Sequence, residues 1–390
     1  MDADRRRPAA GVLGGQTFEE RRAVGVRELP EGWGEREDAM NKDIAVLGTG
    51  AIGSSVGADL TRAGHSALLI DQWPAHVEAM KADGLYVNLP NEELHVRVQA
   101  VHLTEMRSAR HCSPERQFDI VFLACKSYDT AWLVPFIKPY LRPDGVLVSL
   151  QNGLNDESIA PIIGSERDIA CAMELSAEVF SPGRVKRNTD RDHTRFTLGE
   201  LDGRITPRLQ EVAQILGDVG RTVLTSNIWG AKWTKMVFNC MSLAPITGLS
   251  FSGETENPRM LDLSFKLARE SVKVALAQGI TLDPIFGLAA EDLMNITDDT
   301  FKKIRSGHIS NTGGRGRSMN VQDILKGRVT EIGYLNGLVV KKGKELNIPT
   351  PVNEAVVLVV DQIEQGKLQV GAHNLELVEQ YVGQIAAGHS

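Results

Sequence analysis

The sequence predicts an α/β fold, in which a doubly wound parallel-sheet domain is followed by an all-helical domain. Three observations carry this expectation. Short apolar runs alternate with helical stretches through the first half, as at Ile44–Leu47, Asp119–Ala124 and Gly145–Leu150. Runs of this kind, separated by helices, build parallel sheets buried on both faces. Glycines stand at G-x-G-x-x-G spacing directly after the first run, at Gly48, Gly50 and Gly53, and from Ile228 onward the chain reads as almost wholly helical.

The stretch 43–71, DIAVLGTGAIGSSVGADLTRAGHSALLID, reads as strand, turn, helix and second strand. Gly48 permits a tight turn, Gly50 the close approach of a pyrophosphate, and Gly53 close packing of helix on strand. In this setting the spacing is the dinucleotide fingerprint of a Rossmann-type domain. Thr49, Ala51 and Ile52 complete the turn and open the helix, whose unpaired N–H groups and dipole favour an anion. Asp71 ends the second strand, where a carboxylate accepts hydrogen bonds from both ribose hydroxyls. It repels a 2′-phosphate, and Gln72, Trp73 and Pro74 supply no cation, so NAD is expected over NADP. The plainer alternative for Asp71 is to cap a helix beginning near Pro74.

Residues 1–41, rich in Arg, Glu and Gly without a sustained apolar period, read as a disordered tail. They lack the apolar core of a secretory signal, and their acidic residues argue against a transit peptide. Met40 lies just ahead of the first strand, at the lead-in such a strand needs, so a natural start at Met40 is an open expectation.

After Asp71 a helix is expected at 75–83, a β excursion over Gly84–Thr104, a helix over Ala131–Leu141, and further strands with one helix over 168–225. Arg221–Leu224 reads as the last strand of a domain spanning 42–227. Lys126 and Asn152 each follow a parallel strand and so face the cofactor crevice. Lys126 is a candidate contact for phosphate, ribose or a substrate carboxylate, and Asn152 for ribose or the reacting oxygen. The helical domain, 228–390, carries expected helices at 229–243, 259–279, 289–304, 321–345, 352–365 and 374–387.

The composition excludes several classes. A length of 390 residues and a net charge of −7, with no basic cluster interleaved with aromatics, argue against a nucleic-acid surface. No apolar stretch spans a bilayer, which leaves a soluble, cytoplasmic protein as the expectation. Cys112, Cys125, Cys171 and Cys240 form no C-x-x-C pair and read as reduced, mostly buried thiols. The histidines show no metal-ligand spacing, so no metal site is expected.

In the helix KWTKMVFNCM, Lys235 and Asn239 are four residues apart and share one face. A desolvated lysine loses basicity and becomes a proton donor near neutral pH, while Asn239 is placed to orient a substrate oxygen or carboxylate. In the stretch 315–337, Ser318 is a plausible N-cap, and Asp323 and Glu331 lie eight apart on what reads as one helix. A carboxylate there would hold the Lys235 ammonium in place.

Together these motifs resemble the ketopantoate reductase (2-dehydropantoate 2-reductase) family, from about Lys42 to Lys367. GTGAIG, ACKSYDT, LQNGL, KWTKMVFNC, SMNVQD, TEIGYLNG and IPTPVNE carry the resemblance in order. It implies a Rossmann domain and a helical domain with catalysis in the cleft between them. Lys235 would be the general acid, Glu331 its partner and a substrate ligand, and Asn239 and Ser318 substrate ligands. Lys126 and Asn152 would lie beside nicotinamide and substrate, and a homodimer through the helical domain is family habit. Two positions depart from the family pattern. Asp71 stands where an arginine and NADPH are common, and Leu243 stands where many members have a second asparagine that holds the hydroxyls of ketopantoate. The expected activity is NAD(P)H-dependent reduction of a small 2-oxo acid. The alternatives are a dehydrogenase of a 3-hydroxy acid and a non-catalytic dinucleotide sensor.

Overall fold

The computed structural model describes residues 26–28, 42–107, 117–249, 257–284, 289–295, positions 297, 299, 300 and 303, and 316–388. Cys112 and much of the helix expected at 289–304 lie outside the described residues; within them Ala290–Met294 is helical, as are positions 299, 300 and 303.

The first half is a nine-stranded sheet built around β2 (Ile44–Leu47), all four residues of which are buried. β3 (Ala67–Asp71) and β6 (Gln99–His102) extend it in parallel on one side. β7 (Phe118–Leu123), β8 (Leu141–Ser149) and β9 (Asp168–Glu174) extend it in parallel on the other. The strand order therefore reverses between β2 and β7, the kind of switch point outside which doubly wound sheets bind ligands. β12 (Arg195–Glu200) runs antiparallel to β9, and β13 (Arg221–Thr225) follows it in parallel.

Two expectations need correction here. The tail is not wholly without structure: β1 (Val26–Glu28) pairs antiparallel with Val223–Thr225, so β13 is not an edge strand. A parallel edge leaves backbone donors and acceptors open, and an extended segment passing alongside satisfies them. The β excursion is also divided. β4 (Leu85–Asn88) and β5 (Glu93–Val96) leave the main sheet and join β10 (Ala177–Ser181) and β11 (Arg184–Arg187) in a separate four-stranded sheet.

Helices cover the main sheet. α1 (Ala51–Ala63) ends at Gly64, whose φ of 99° gives the left-handed cap that frees the chain to turn into β3. α2 (Pro74–Asp83) starts on a proline, whose fixed φ and missing N–H suit a first turn. α3 (Thr130–Ile137), α4 (Asp156–Ile163) and α5 (Pro207–Gly217) complete the layers.

From α6 (Ile228–Cys240) onward the described elements are helical. α6 is capped by Asn227, whose Oδ1 accepts from Gly230 N at 3.2 Å. Its apolar face packs Trp233, Met236, Val237 and Cys240 against Phe265, Ala268 and Val272 of the long helix Pro258–Ala277. The helix expected over 321–345 is two helices, Met319–Leu325 and Asn336–Glu345, separated by a ten-residue break. Gly327, at φ 64°, turns the chain out of the first helix, a conformation that side chains resist. Glu331 therefore stands in a loop, ahead of the 3₁₀ turn Ile332–Tyr334. The two halves are also joined by a buried ion pair from Lys232 of α6 to Asp156 at the start of α4.

Candidate active site

A cleft of about 920 Å³ runs from the glycine turn to the inner face of α6. The turn is built as a dinucleotide cradle. Gly48 has φ 88°, and a Cβ there would come within 2.6 Å of Cys125 N on the neighbouring strand end. A Cβ on Gly53 would lie 2.2 Å from Gly48 O, so both positions admit only glycine. At Gly50 a Cβ would meet nothing within 4 Å, because that face opens into the cleft. Gly50 is also the N-cap of α1 and offers no side-chain acceptor to the helix's free N–H groups. These donors are left for an anionic ligand. Thr49 is buried, whereas Ala51 and Ile52 line the cleft.

Asp71 closes this end. Its Oδ2 accepts from Thr49 Oγ1 at 3.1 Å and its Oδ1 from Trp73 N at 2.8 Å. The carboxylate thus shapes the loop into α2, although Trp73 itself is the N-cap. Asp71 lines the cleft, and each oxygen retains a lone pair for a ligand hydroxyl.

Across the switch point, Lys126 follows β7. Its Nζ lies 2.6 Å from Asp323 Oδ2 and 2.9 Å from Glu331 Oε2, both on the helical half. Burial alone would depress this ammonium, but the charges of Glu331 and Asp323 outweigh it and hold Lys126 above the ordinary lysine value. Burial conversely pushes the Asp323 carboxyl up, only partly offset by Lys126. The other oxygen of Glu331 accepts from Ser127 N at 2.9 Å and Ser127 Oγ at 2.8 Å. The pairing of Glu331 with Lys235 expected from the sequence is therefore absent: the break in the helix carries Glu331 to Lys126 and Ser127, which take both of its oxygens.

Lys235 projects from α6 into the cleft, half-buried. Among the described residues no carboxylate reaches it within ion-pair distance; its Nζ lies 5.1 Å from the centre of the Phe238 ring. Burial pushes this ammonium below the ordinary lysine value, with only a weaker opposing pull from Glu174. One turn on, Asn239 Nδ2 donates to Asn152 Oδ1 at 3.1 Å, a further link between the halves. The Asn152 backbone oxygen accepts from Asn155 Nδ2 at 2.7 Å, which fixes the QNG turn. Ser318 caps Met319–Leu325 by accepting from Val321 N at 3.3 Å and lines the same cleft.

All six of Lys126, Asn152, Lys235, Asn239, Ser318 and Glu331 thus line one cleft with the glycine turn. Leu243 does not. It is fully buried among Ile246, Leu263 and Val356, while its neighbours Ser242 and Ala244 face the cleft. Of these two neighbours only Ser242 carries a polar side chain at this wall. Sequence reasoning named Asp323 beside Glu331 without giving it a role of its own, and passed over Ser127. Both sit inside motifs already singled out, SMNVQD and ACKSYDT, but their convergence on Lys126 and Glu331 is a tertiary fact.

The family model described as ketopantoate reductase PanE/ApbA matches residues 44–203, and the model of that family's C-terminal region matches 227–364. The 2-dehydropantoate 2-reductase of Archaeoglobus fulgidus is 28% identical over 335 residues, 83% of this chain and 98% of its own. That of Pyrococcus abyssi is 29% identical over 314 residues, 80% and 94% of the two chains. Among solved structures, a PanE/ApbA family ketopantoate reductase from Ralstonia eutropha JMP134 superposes with a TM-score of 0.68 at 27% identity, over 83% of this chain and 99% of its own. D-mandelate dehydrogenase, solved with NADH and anilino(oxo)acetate, shares the fold at a TM-score of 0.71 and 24% identity, over 83% and 99%.

Proposed function

Because this chain belongs to the ketopantoate reductase PanE/ApbA family, we propose that its cleft reduces the carbonyl of ketopantoate, or of a related small 2-oxo acid, to the 2-hydroxy acid. The chain is a ketopantoate reductase-like oxidoreductase of a family dependent on NAD(P)H. The observation that carries the assignment of roles is Lys235: an ammonium without a carboxylate partner among the described residues, made less basic by burial, in the same cleft as the glycine turn. The open face at Gly50, the uncapped start of α1 and the Asp71 carboxylate fit a nicotinamide dinucleotide.

The dinucleotide, when bound, supplies a hydride to the carbonyl carbon. Lys235 donates its proton to the carbonyl oxygen as negative charge develops there, and the neutral amine regains a proton from solvent. Asn239 and Asn152 already hold each other in place, so their amides stabilise that charge without reorganising. Lys126 is held by Glu331 and Asp323 at the carboxyl end of β7, from where it would contact the substrate or the nicotinamide ribose. Ser318 binds the substrate from the opposite wall. In the reverse direction neutral Lys235 acts as the base.

We also propose NADH as the preferred dinucleotide, on the grounds of Asp71 and of the uncharged residues Gln72, Trp73 and Pro74 that follow it. A cytoplasmic location is supported by the free thiols of Cys125, Cys171 and Cys240. The test of the assignment is Lys235→Ala. It should lower turnover by about 10²–10⁴ while leaving dinucleotide affinity nearly unchanged. Unimpaired turnover would remove Lys235 from the mechanism.

A further inference from the structure

His76 is a fully buried imidazole in the first turn of α2, outside the reaction described above, and both of its ring nitrogens are committed. Nδ1 accepts from Gly183 N at 2.9 Å. A backbone N–H can only donate, so in the neutral ring the proton sits on Nε2, which donates to Ser54 Oγ at 3.0 Å. Ser54 Oγ in turn donates to Thr49 O at 2.6 Å, and Thr49 Oγ1 donates to Asp71 Oδ2. The imidazole also stacks on Trp73, whose N is held by Asp71 Oδ1, with ring centres 5.2 Å apart. The bonds therefore run from the glycine turn and the Asp71 carboxylate, through His76, to Gly183 between β10 and β11. Gly183 O accepts from Tyr86 N at 3.0 Å, and Ala177 and Val179 of β10 line the cleft.

This arrangement suits one protonation state. A second proton would sit on Nδ1 and point at Gly183 N–H, breaking that bond and setting one buried donor against another. Burial pushes the imidazole below its ordinary 6.5, with a weaker opposing pull from Asp71 at the end of β3. On the flanking elements, Asp59 of α1 is paired with Arg187 and Arg191, and Arg184, next to Gly183, lies over the Tyr86 ring. On α2 itself, Glu78 is paired with Lys81. We propose that neutral His76 is a positioning residue that locks the dinucleotide turn to the β10–β11 hairpin, so that its protonation or removal weakens dinucleotide binding and spares the chemical step. This rests on the reading of the groove as a dinucleotide site.

The test compares the parent, His76→Asn and His76→Phe. It measures the dissociation constant of whichever of NADH and NADPH the parent binds more tightly, from about pH 8 to about pH 5, and kcat at saturation. The parent should lose about tenfold in affinity as pH falls through a value below 6.5, the scale of one broken hydrogen bond. His76→Asn keeps an acceptor for Gly183 N and does not titrate, so it should start within about threefold of the parent and hold its affinity into acid. His76→Phe keeps a ring over Trp73 without either bond, and should bind about tenfold more weakly at the alkaline end with kcat within about threefold. An acid limb that persists in His76→Asn would belong to another group, such as His102, whose Nε2 lies 3.0 Å from Gln72 O, and would overturn the proposal. So would a flat parent profile, or a loss of kcat with affinity unchanged in His76→Phe. A parent that binds neither dinucleotide would instead remove the dinucleotide reading, and the proposal with it.

Discussion

Glu331 Oε2 lies 2.9 Å from Lys126 Nζ, across the cleft between the two halves, and leaves Lys235 without a carboxylate partner among the described residues. The acid–base lysine and the structural ion cluster are therefore separate devices. One consequence concerns pH. If Glu331 acted on Lys235, its removal would move the ionisation of the acid. In this geometry Glu331→Gln should lower kcat/KM by about 10–100-fold through loss of a charged hydrogen bond, yet leave the alkaline limb of the pH–rate profile in place. A displaced limb in that variant would reconnect Glu331 to Lys235.

The alkaline limb itself follows from burial of Lys235. Reduction needs the protonated amine, so its rate should fall as pH rises through a pKa depressed below the ordinary 10.5. Oxidation of the 2-hydroxy acid needs the neutral amine and should rise through the same point. Lys235→Arg keeps the charge at every accessible pH, so the fall in the reductive profile should vanish along with most of the rate. A reductive limb that persists in Lys235→Arg would belong to another group.

Asp71 gives a prediction about dinucleotide choice. Because its Oδ1 accepts from Trp73 N and its Oδ2 from Thr49 Oγ1, alanine would disturb the loop as well as the charge. Asparagine keeps most of the shape and removes the charge. Asp71→Asn should move the NADH-to-NADPH ratio of kcat/KM towards NADPH by about tenfold, the scale of one lost charged hydrogen bond. An unchanged ratio would count against contact with the ribose.

Asp168 makes a stability prediction away from the cleft. Both carboxylate oxygens are buried without a hydrogen-bond partner, and burial, with the nearby Asp156 charge, raises its pKa well above 3.8. A carboxyl that binds its proton more tightly when folded contributes stability that is full below the unfolded pKa. That contribution is lost as pH rises through the raised folded pKa. Asp168→Asn keeps an unpaired polar group but cannot ionise, so above this window it should be more stable than the parent by about 1–3 kcal/mol, the extra cost of a charge over a neutral group there. Melting curves that stay parallel from acid to neutral pH would show that Asp168 carries no such penalty.

The sequence made the cradle legible because its signals are local. Gly48, Gly50 and Gly53 sit between a buried strand and a helix; Gly48 and Gly53 have a steric reason in the structure, and Gly50 faces the open cleft. Lys235 and Asn239 were legible for the same reason, a four-residue spacing on one helix. What was hidden depends on contacts distant in sequence. The apolar spacing over 321–345 runs on through the break at Gly327, so Glu331 reads as helical and its partner as Lys235. Leu243 reads as a lost polar contact, although it turns into the core and leaves Ser242 and Ala244 at the wall. Pairing of Val26–Glu28 with β13 joins segments almost 200 residues apart, and no local pattern announces it.

The central claim is that one cleft reduces a small 2-oxo acid with Lys235 as the proton donor. The most direct measurement is the loss of NADH and NADPH absorbance with ketopantoate and with a panel of other 2-oxo acids, for the parent and for Lys235→Ala side by side. The account predicts turnover of at least one 2-oxo acid by the parent, and its near loss in the variant. A protein that binds the dinucleotide but turns over no 2-oxo acid, or a variant as active as the parent, would contradict it.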